Sequence, residues 1–162
     1  NEAARKKQLK VFKEHIRLAN ELELPLIVHC RGDKEHFDDA YRLIYQELKK
    51  NPPKKHGIIH CYGGPVDLVK QFTNMGFYIS FNGIITFDKT GRIEQVLKET
   101  PADRILLETD CPYLTPVPLR GKRNEPANVE YVAKKIALIK RMEAADVIKV
   151  TDENSKRLFN LK

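Results

Sequence analysis

Arg104-Ile105-Leu106-Leu107-Glu108-Thr109-Asp110 is the stretch on which the fold turns: a short apolar run that closes on two carboxylates. Three other stretches share its form. Leu24-Pro25-Leu26-Ile27-Val28-His29 runs into the polar cluster His29-Cys30-Arg31-Gly32-Asp33. Gly57-Ile58-Ile59-His60 ends on a second histidine before Gly63-Gly64-Pro65, and Phe77-Tyr78-Ile79-Ser80-Phe81-Asn82-Gly83 is the remaining β-prone run. Helical patterns lie around them. Leu9, Phe12, Ile16 and Ala19 share one face, as do Phe37, Tyr41, Ile44 and Leu48, with Asp33 placed to cap the latter helix and Asn51-Pro52-Pro53 to stop it. Val66, Val69 and Phe72 mark a third helix, and Ile93, Val96 and Leu97 a fourth introduced by Thr90-Gly91. After an irregular proline-rich segment from Cys111 to Pro126, two helices close the chain. One carries Val129, Val132 and Ile136; the other follows Thr151 and ends at Leu158-Phe159. Strands alternating with helices every ~20–30 residues mean parallel βα units with right-handed crossovers. Four such strands form either a small open sheet or half of an eight-stranded barrel.

Length and composition agree with a single α/β domain over residues 1–162, 41% hydrophobic and 31% charged. No apolar run approaches the ~18–20 residues that cross a bilayer, so no membrane partner is expected. Three cysteines, Cys30, Cys61 and Cys111, cannot all pair and have no CxxC spacing, which fits a reducing cytoplasm. Twenty-nine Lys and Arg against 22 Asp and Glu give a net charge of +7. Much of that excess is lysine spread over helix faces, which reads first as a solvated surface and points only weakly to a phosphate-rich partner. The chain opens on Asn1-Glu2-Ala3 and enters a helical pattern at once, so it is expected to be a portion of a longer protein.

His29, His60 and Asp110 stand at the carboxyl ends of three strands, where α/β folds build their sites. Imidazole and carboxylate are the right donors for zinc, manganese or iron, and carboxylate with water also suits magnesium. Such a cation lowers the pKa of bound water from ~15.7 toward ~7, which supplies hydroxide at neutral pH. The cysteine that follows each of the three is expected to face the helices as a small core residue, because strand side chains alternate. Glu108, two residues before Asp110, is placed on the same side, as a holder of ligand or substrate or as a buried carboxylate paired with a basic neighbour. Arg31 relates to His29 in the same way, and either clamps a phosphate or forms a surface ion pair. Arg120, Lys122 and Arg123 form a basic loop suited to an anionic substrate, or simply a solvated one. Pro116 stands where a phosphate-binding P-loop needs glycine, so that motif is excluded.

Taken together, the runs Leu24–Arg31, Ile59–Gly64, Tyr78–Gly83, Leu107–Leu114, Arg120–Pro126 and Glu153–Phe159 resemble the TatD family of metal-dependent deoxyribonucleases, in order and over essentially the whole chain. The resemblance implies the second half, the last four βα units, of a TIM-type (β/α)8 metal-dependent hydrolase barrel. It also implies a two-metal hydrolase (Mg, Mn or Zn) that cleaves phosphodiesters of DNA, with His29, His60 and Asp110 as metal ligands. The two histidines then serve one metal and Asp110 the other, and Asp110 also helps hold the attacking water. Arg31, Glu108, Arg120 and Arg123 are the candidate substrate contacts. The family's first strand carries a His-x-His pair and its fourth a bridging Glu; neither occurs in this sequence, and an N-terminal half of the barrel is the expected partner. Two other readings stand beside this one: a barrel hydrolase of a small amide or ester, and a catalytically silent half-domain that acts as a binding module.

Overall fold

The computed structural model describes residues 2–32 and 37–161. Helix α1 (Glu2–Leu22) presents the expected stripe: Ile16 is buried and Phe12 and Ala19 pack beside it. Strand β1 (Leu26–His29) follows, then α2 (Phe37–Lys50), whose Tyr41 and Leu48 are fully buried. Asp33, the expected cap of α2, lies outside the described residues. Next come β2 (Gly57–His60), α3 (Val66–Asn74), β3 (Tyr78–Phe81) and a 3-10 turn at Gly83–Thr86. Helix α4 (Arg92–Glu99), β4 (Ile105–Leu107), α5 (Val129–Lys140) and α6 (Ala144–Phe159) complete the chain. No helix among the described residues is long and apolar enough to cross a membrane.

The four strands form one sheet in the order β1-β2-β3-β4, and every neighbouring pair is parallel. Register then decides which residues share a face. Ile27 aligns with Ile58 and His29 with His60; Ile58 aligns with Tyr78, and Ser80 with Leu106. By alternation one face carries an apolar row (Ile27, Ile58, Tyr78, Leu106) and, nearer the carboxyl ends, a polar row (His29, His60, Ser80). Ile58, Tyr78 and Leu106 form their own buried cluster, against which Leu158 of α6 packs. The opposite face holds Val28, Ile59, Ile79 and Ile105, which join Leu68, Val69, Phe72, Val96, Leu97 and Ile136 from the helices in the main core. Removing each such side chain from water contributes about 1.5–3 kcal/mol. That burial fixes the register, because a one-residue slip would turn His29 and His60 into the core.

Several elements differ from the sequence expectation. Strand β3 stops at Phe81 because the Asn82 carboxamide oxygen accepts the Ile84 N–H (3.1 Å) and starts the 3-10 turn. The last helix begins at Ala144, and Thr151 lies inside it with its hydroxyl donating to the Val147 carbonyl (2.8 Å). Strand β4 is only three residues long, so Glu108 and Asp110 lie beyond it.

Candidate functional site at the carboxyl ends of the strands

His60 is the centre of the site. Its Nδ1–H donates to Glu108 Oε2 (2.6 Å), and its Nε2 faces Asp110 Oδ1 at 3.7 Å. Glu108 is nearly enclosed: Ser80 Oγ–H also donates to Oε2 (2.5 Å), and Asn82 Nδ2–H donates to Oε1 (3.1 Å). The hydrogen bond that His60 donates to Glu108 raises the His60 pKa above the ordinary imidazole value, against the opposing effect of burial. Glu108 is thus a largely enclosed carboxylate paired with a basic neighbour, His60, as in the second of its two expected readings, and both of its oxygens accept from protein groups.

Glu108 and Asp110 reach His60 by different routes. The Glu108 N–H still donates to the Phe81 carbonyl (3.0 Å), so its backbone continues the ladder past β4. Asp110 has φ +56°, in the left-handed region that aspartate tolerates better than most residues. Strand alternation cannot place Asp110; this local bend turns its carboxylate back toward His60.

His29 stands in register beside His60, with ring centroids 5.8 Å apart. It is exposed, and Arg31 beyond it is exposed and forms no ion pair with a described residue. The three proposed ligands thus meet pairwise around His60. Among the described residues no set of three or more His, Cys, Asp or Glu is gathered tightly enough to enclose an ion. The donor chemistry nevertheless fits a divalent cation. A carboxylate on Nδ1 fixes the tautomer and aims the Nε2 lone pair outward, as in metal-ligating histidines generally. The 3.7 Å gap to Asp110 is too long for a hydrogen bond. It is close to the ~3–3.4 Å between neighbouring ligands whose bonds to a metal are ~2.0–2.1 Å.

The cysteines divide. Cys30 packs in the main core as expected, and burial pushes its thiol up to about 12. Cys61 departs from strand alternation: with φ +49° its Sγ accepts from Asn82 Nδ2 (2.9 Å), beside Glu108, and desolvation lifts its pKa to about 11. Cys111 is exposed rather than in the core.

The basic loop is fastened to the site by residues that carried no sequence signal of their own. Buried Asn124 donates through Nδ2 to the carbonyls of Thr109 (2.9 Å) and Tyr113 (2.6 Å), and its N–H donates to the Pro112 carbonyl (3.1 Å). Arg120 lies over the Phe87 ring (3.8 Å) and donates to the Thr115 carbonyl (3.0 Å), so it braces the loop. Arg123 is exposed. A Cβ on Gly83 would sit 1.9 Å from the Leu114 carbonyl oxygen, so only glycine lets the 3-10 turn approach this loop. Ser80 and Asn82 were legible as alternate residues of a strand, two apart on the face of His60, and as part of the run Tyr78–Gly83, but without a role of their own.

A separate cleft of about 450 Å³ opens between the amino-terminal ends of α2, α3 and α4. Its arginines are paired, Arg42 with Asp67 (3.0 Å) and Arg92 with Asp38 (2.8 Å), which leaves it electrically balanced.

Comparison with known proteins places the chain in a family. The family model described as TatD related DNase matches residues 1–160. The uncharacterized metal-dependent hydrolase YabD of Bacillus subtilis is 43% identical over 154 residues, covering 95% of this chain and 58% of that protein. The 3'-5' ssDNA/RNA exonuclease TatD of Rahnella is 31% identical over 160 residues, covering 96% of this chain and 59% of that protein. Among solved structures, the TatD homologue YJJV of Escherichia coli superposes with a TM-score of 0.86 at 25% identity, covering 97% of this chain and 58% of that one. A TatD family hydrolase from Entamoeba histolytica superposes at 0.76, also at 25% identity. The chain therefore spans somewhat over half the length of the curated relatives it matches. It belongs to the TatD-related deoxyribonuclease family of metal-dependent hydrolases.

Proposed function

We propose that this chain supplies the last four βα units of an eight-stranded barrel whose whole is a metal-dependent nuclease. Two features support the barrel reading. Strands β1 and β4 are both open edges of the described sheet, with Ile27 63% exposed on β1. The stacked apolar and polar rows on one sheet face also match the layered filling of a barrel interior.

The observation that carries the function is the orientation of His60, with Nδ1 tied to Glu108 and Nε2 turned toward Asp110. His29, His60 and Asp110 would hold divalent metal. When bound, such a cation lowers the pKa of coordinated water and neutralises charge on a phosphoryl oxygen. The residues of this chain orient that chemistry. Glu108 holds His60 in one tautomer, Ser80 and Asn82 hold Glu108, and the bent backbone at Asp110 aims a carboxylate that can accept a proton from water. The exposed Arg31 and Arg123 would meet phosphate, and the net charge of +7 favours a polyanion. The name of the Rahnella relative supports nucleic acid as substrate, and three free cysteines support a reducing cytoplasm.

Release of nucleotides from DNA by the whole protein, with magnesium or manganese, tests this. Asp110→Ala is expected to lower the rate about 10³-fold, the several kcal/mol that cation chemistry contributes. Turnover confined to small amides or esters, or an Asp110→Ala variant of undiminished rate, would refute it.

A further inference from the structure

The surface beside Asp110 holds one feature that metal binding does not use. Tyr113 is 72% exposed, the most exposed aromatic of the described residues alongside few comparable apolar side chains. Its backbone is nonetheless immobilised. The Tyr113 N–H donates to the Asp110 carbonyl (3.0 Å), and the Tyr113 carbonyl accepts from Asn124 (2.6 Å). Asn124 is itself buried and receives the Asn128 amide on its oxygen (3.0 Å). The same fastening carries Arg123, and the Lys122 carbonyl accepts the Thr115 hydroxyl (2.6 Å). An aromatic ring displayed to water is thus tied through Asn124 to the loop segment that carries Lys122 and Arg123, two exposed cations that form no ion pair with a described residue. Glu125 is the carboxylate that follows them in sequence.

Aromatic faces interleaved with cations are what unpaired nucleotides require: a base stacks on the ring while its phosphate meets the charge. A base inside a duplex offers no free face for such stacking. We propose that Tyr113, with Lys122 and Arg123, forms a platform that stacks one unpaired base of a single-stranded nucleic acid next to Asp110. The proposal deepens the nuclease reading and rests on it for the choice of ligand. It assigns Tyr113 a binding role, distinct from the metal ligands.

The test is binding rather than turnover. The whole protein, in excess chelator, is titrated against a fluorescein-labelled thymidine oligonucleotide of about twelve nucleotides and against a duplex of the same length. Tyr113→Ala is expected to weaken single-strand binding about tenfold, the stacking of one base, and Tyr113→Phe to retain it within about twofold. Arg123→Ala is expected to reduce the salt slope by ~0.7, one phosphate contact on a single strand. Single-strand affinity unchanged in Tyr113→Ala, or equal weakening toward duplex, would overturn the platform. So would a Tyr113→Phe variant that binds as poorly as Tyr113→Ala. Failure of the whole protein to release nucleotides from DNA with magnesium or manganese, while single-strand binding still depends on Tyr113, would instead overturn the nuclease reading alone, so the two failures are distinguishable.

Discussion

At the tips of β2, β3 and β4 the polar side chains are bound to one another, whereas the tip of β1 ends in side chains open to solvent. His60, Ser80, Asn82 and Glu108 form one hydrogen-bonded unit with no more than 3.1 Å between partners. His29, at the same register one strand away, meets this unit through the ring of His60. The difference follows from which groups meet, since β1 and β4 are both edges of the sheet. Glu108, just beyond β4, accepts from His60, Ser80 and Asn82, whereas His29 at the end of β1 is exposed and meets the ring of His60. The polar unit is thus a pre-oriented half of a site, and the edge histidine is the half that needs a further neighbour to hold it.

That contrast can be broken at its strong side. Glu108→Gln removes the carboxylate that fixes the His60 tautomer, and calorimetric titration of Mn²⁺ into the whole protein should show affinity reduced 10–100-fold. Unchanged affinity would mean that the Glu108 network serves packing alone. A smaller effect is expected from Ser80→Ala, which deprives half-buried Glu108 Oε2 of one of its two donors, at 2.5 Å, and the Cys61 N–H of its acceptor. Urea unfolding should show a loss of about 1–3 kcal/mol. His29→Ala, at an exposed edge, should change stability by less than about 0.5 kcal/mol in the same measurement. Equal losses at the two positions would erase the distinction between the tips.

The sequence was most legible where one physical rule acted alone. Apolar runs ending in His29 and His60 marked two strand ends, because burial on both faces demands such runs and the polar residue marks where burial stops. The helical stripe of α2 was equally plain in Tyr41 and Leu48. Legibility failed where local backbone geometry overrode alternation. Glu108 and Asp110 were placed on one strand face, yet β4 ends at Leu107 and a left-handed residue delivers Asp110. Cys61 was expected among the helices, and the same kind of backbone turn carries it to Asn82. The start of α6 at Ala144 was missed because Arg141, in a left-handed conformation, ends α5 only three residues earlier. Asn124 could not have been singled out, since its role consists of contacts to backbone carbonyls that only the folded loop brings together.

The central claim is that His29 and His60 share a cation bound near Asp110. Substoichiometric Mn²⁺ added to the whole protein, with histidine ring protons followed by NMR, tests it most directly. Paramagnetic broadening of the His29 and His60 signals, with His15 and His56 left sharp and the effect lost in Asp110→Ala, is the expected result. Broadening that reaches His15 or His56 as strongly as His29 and His60, or that survives in Asp110→Ala undiminished, would contradict it.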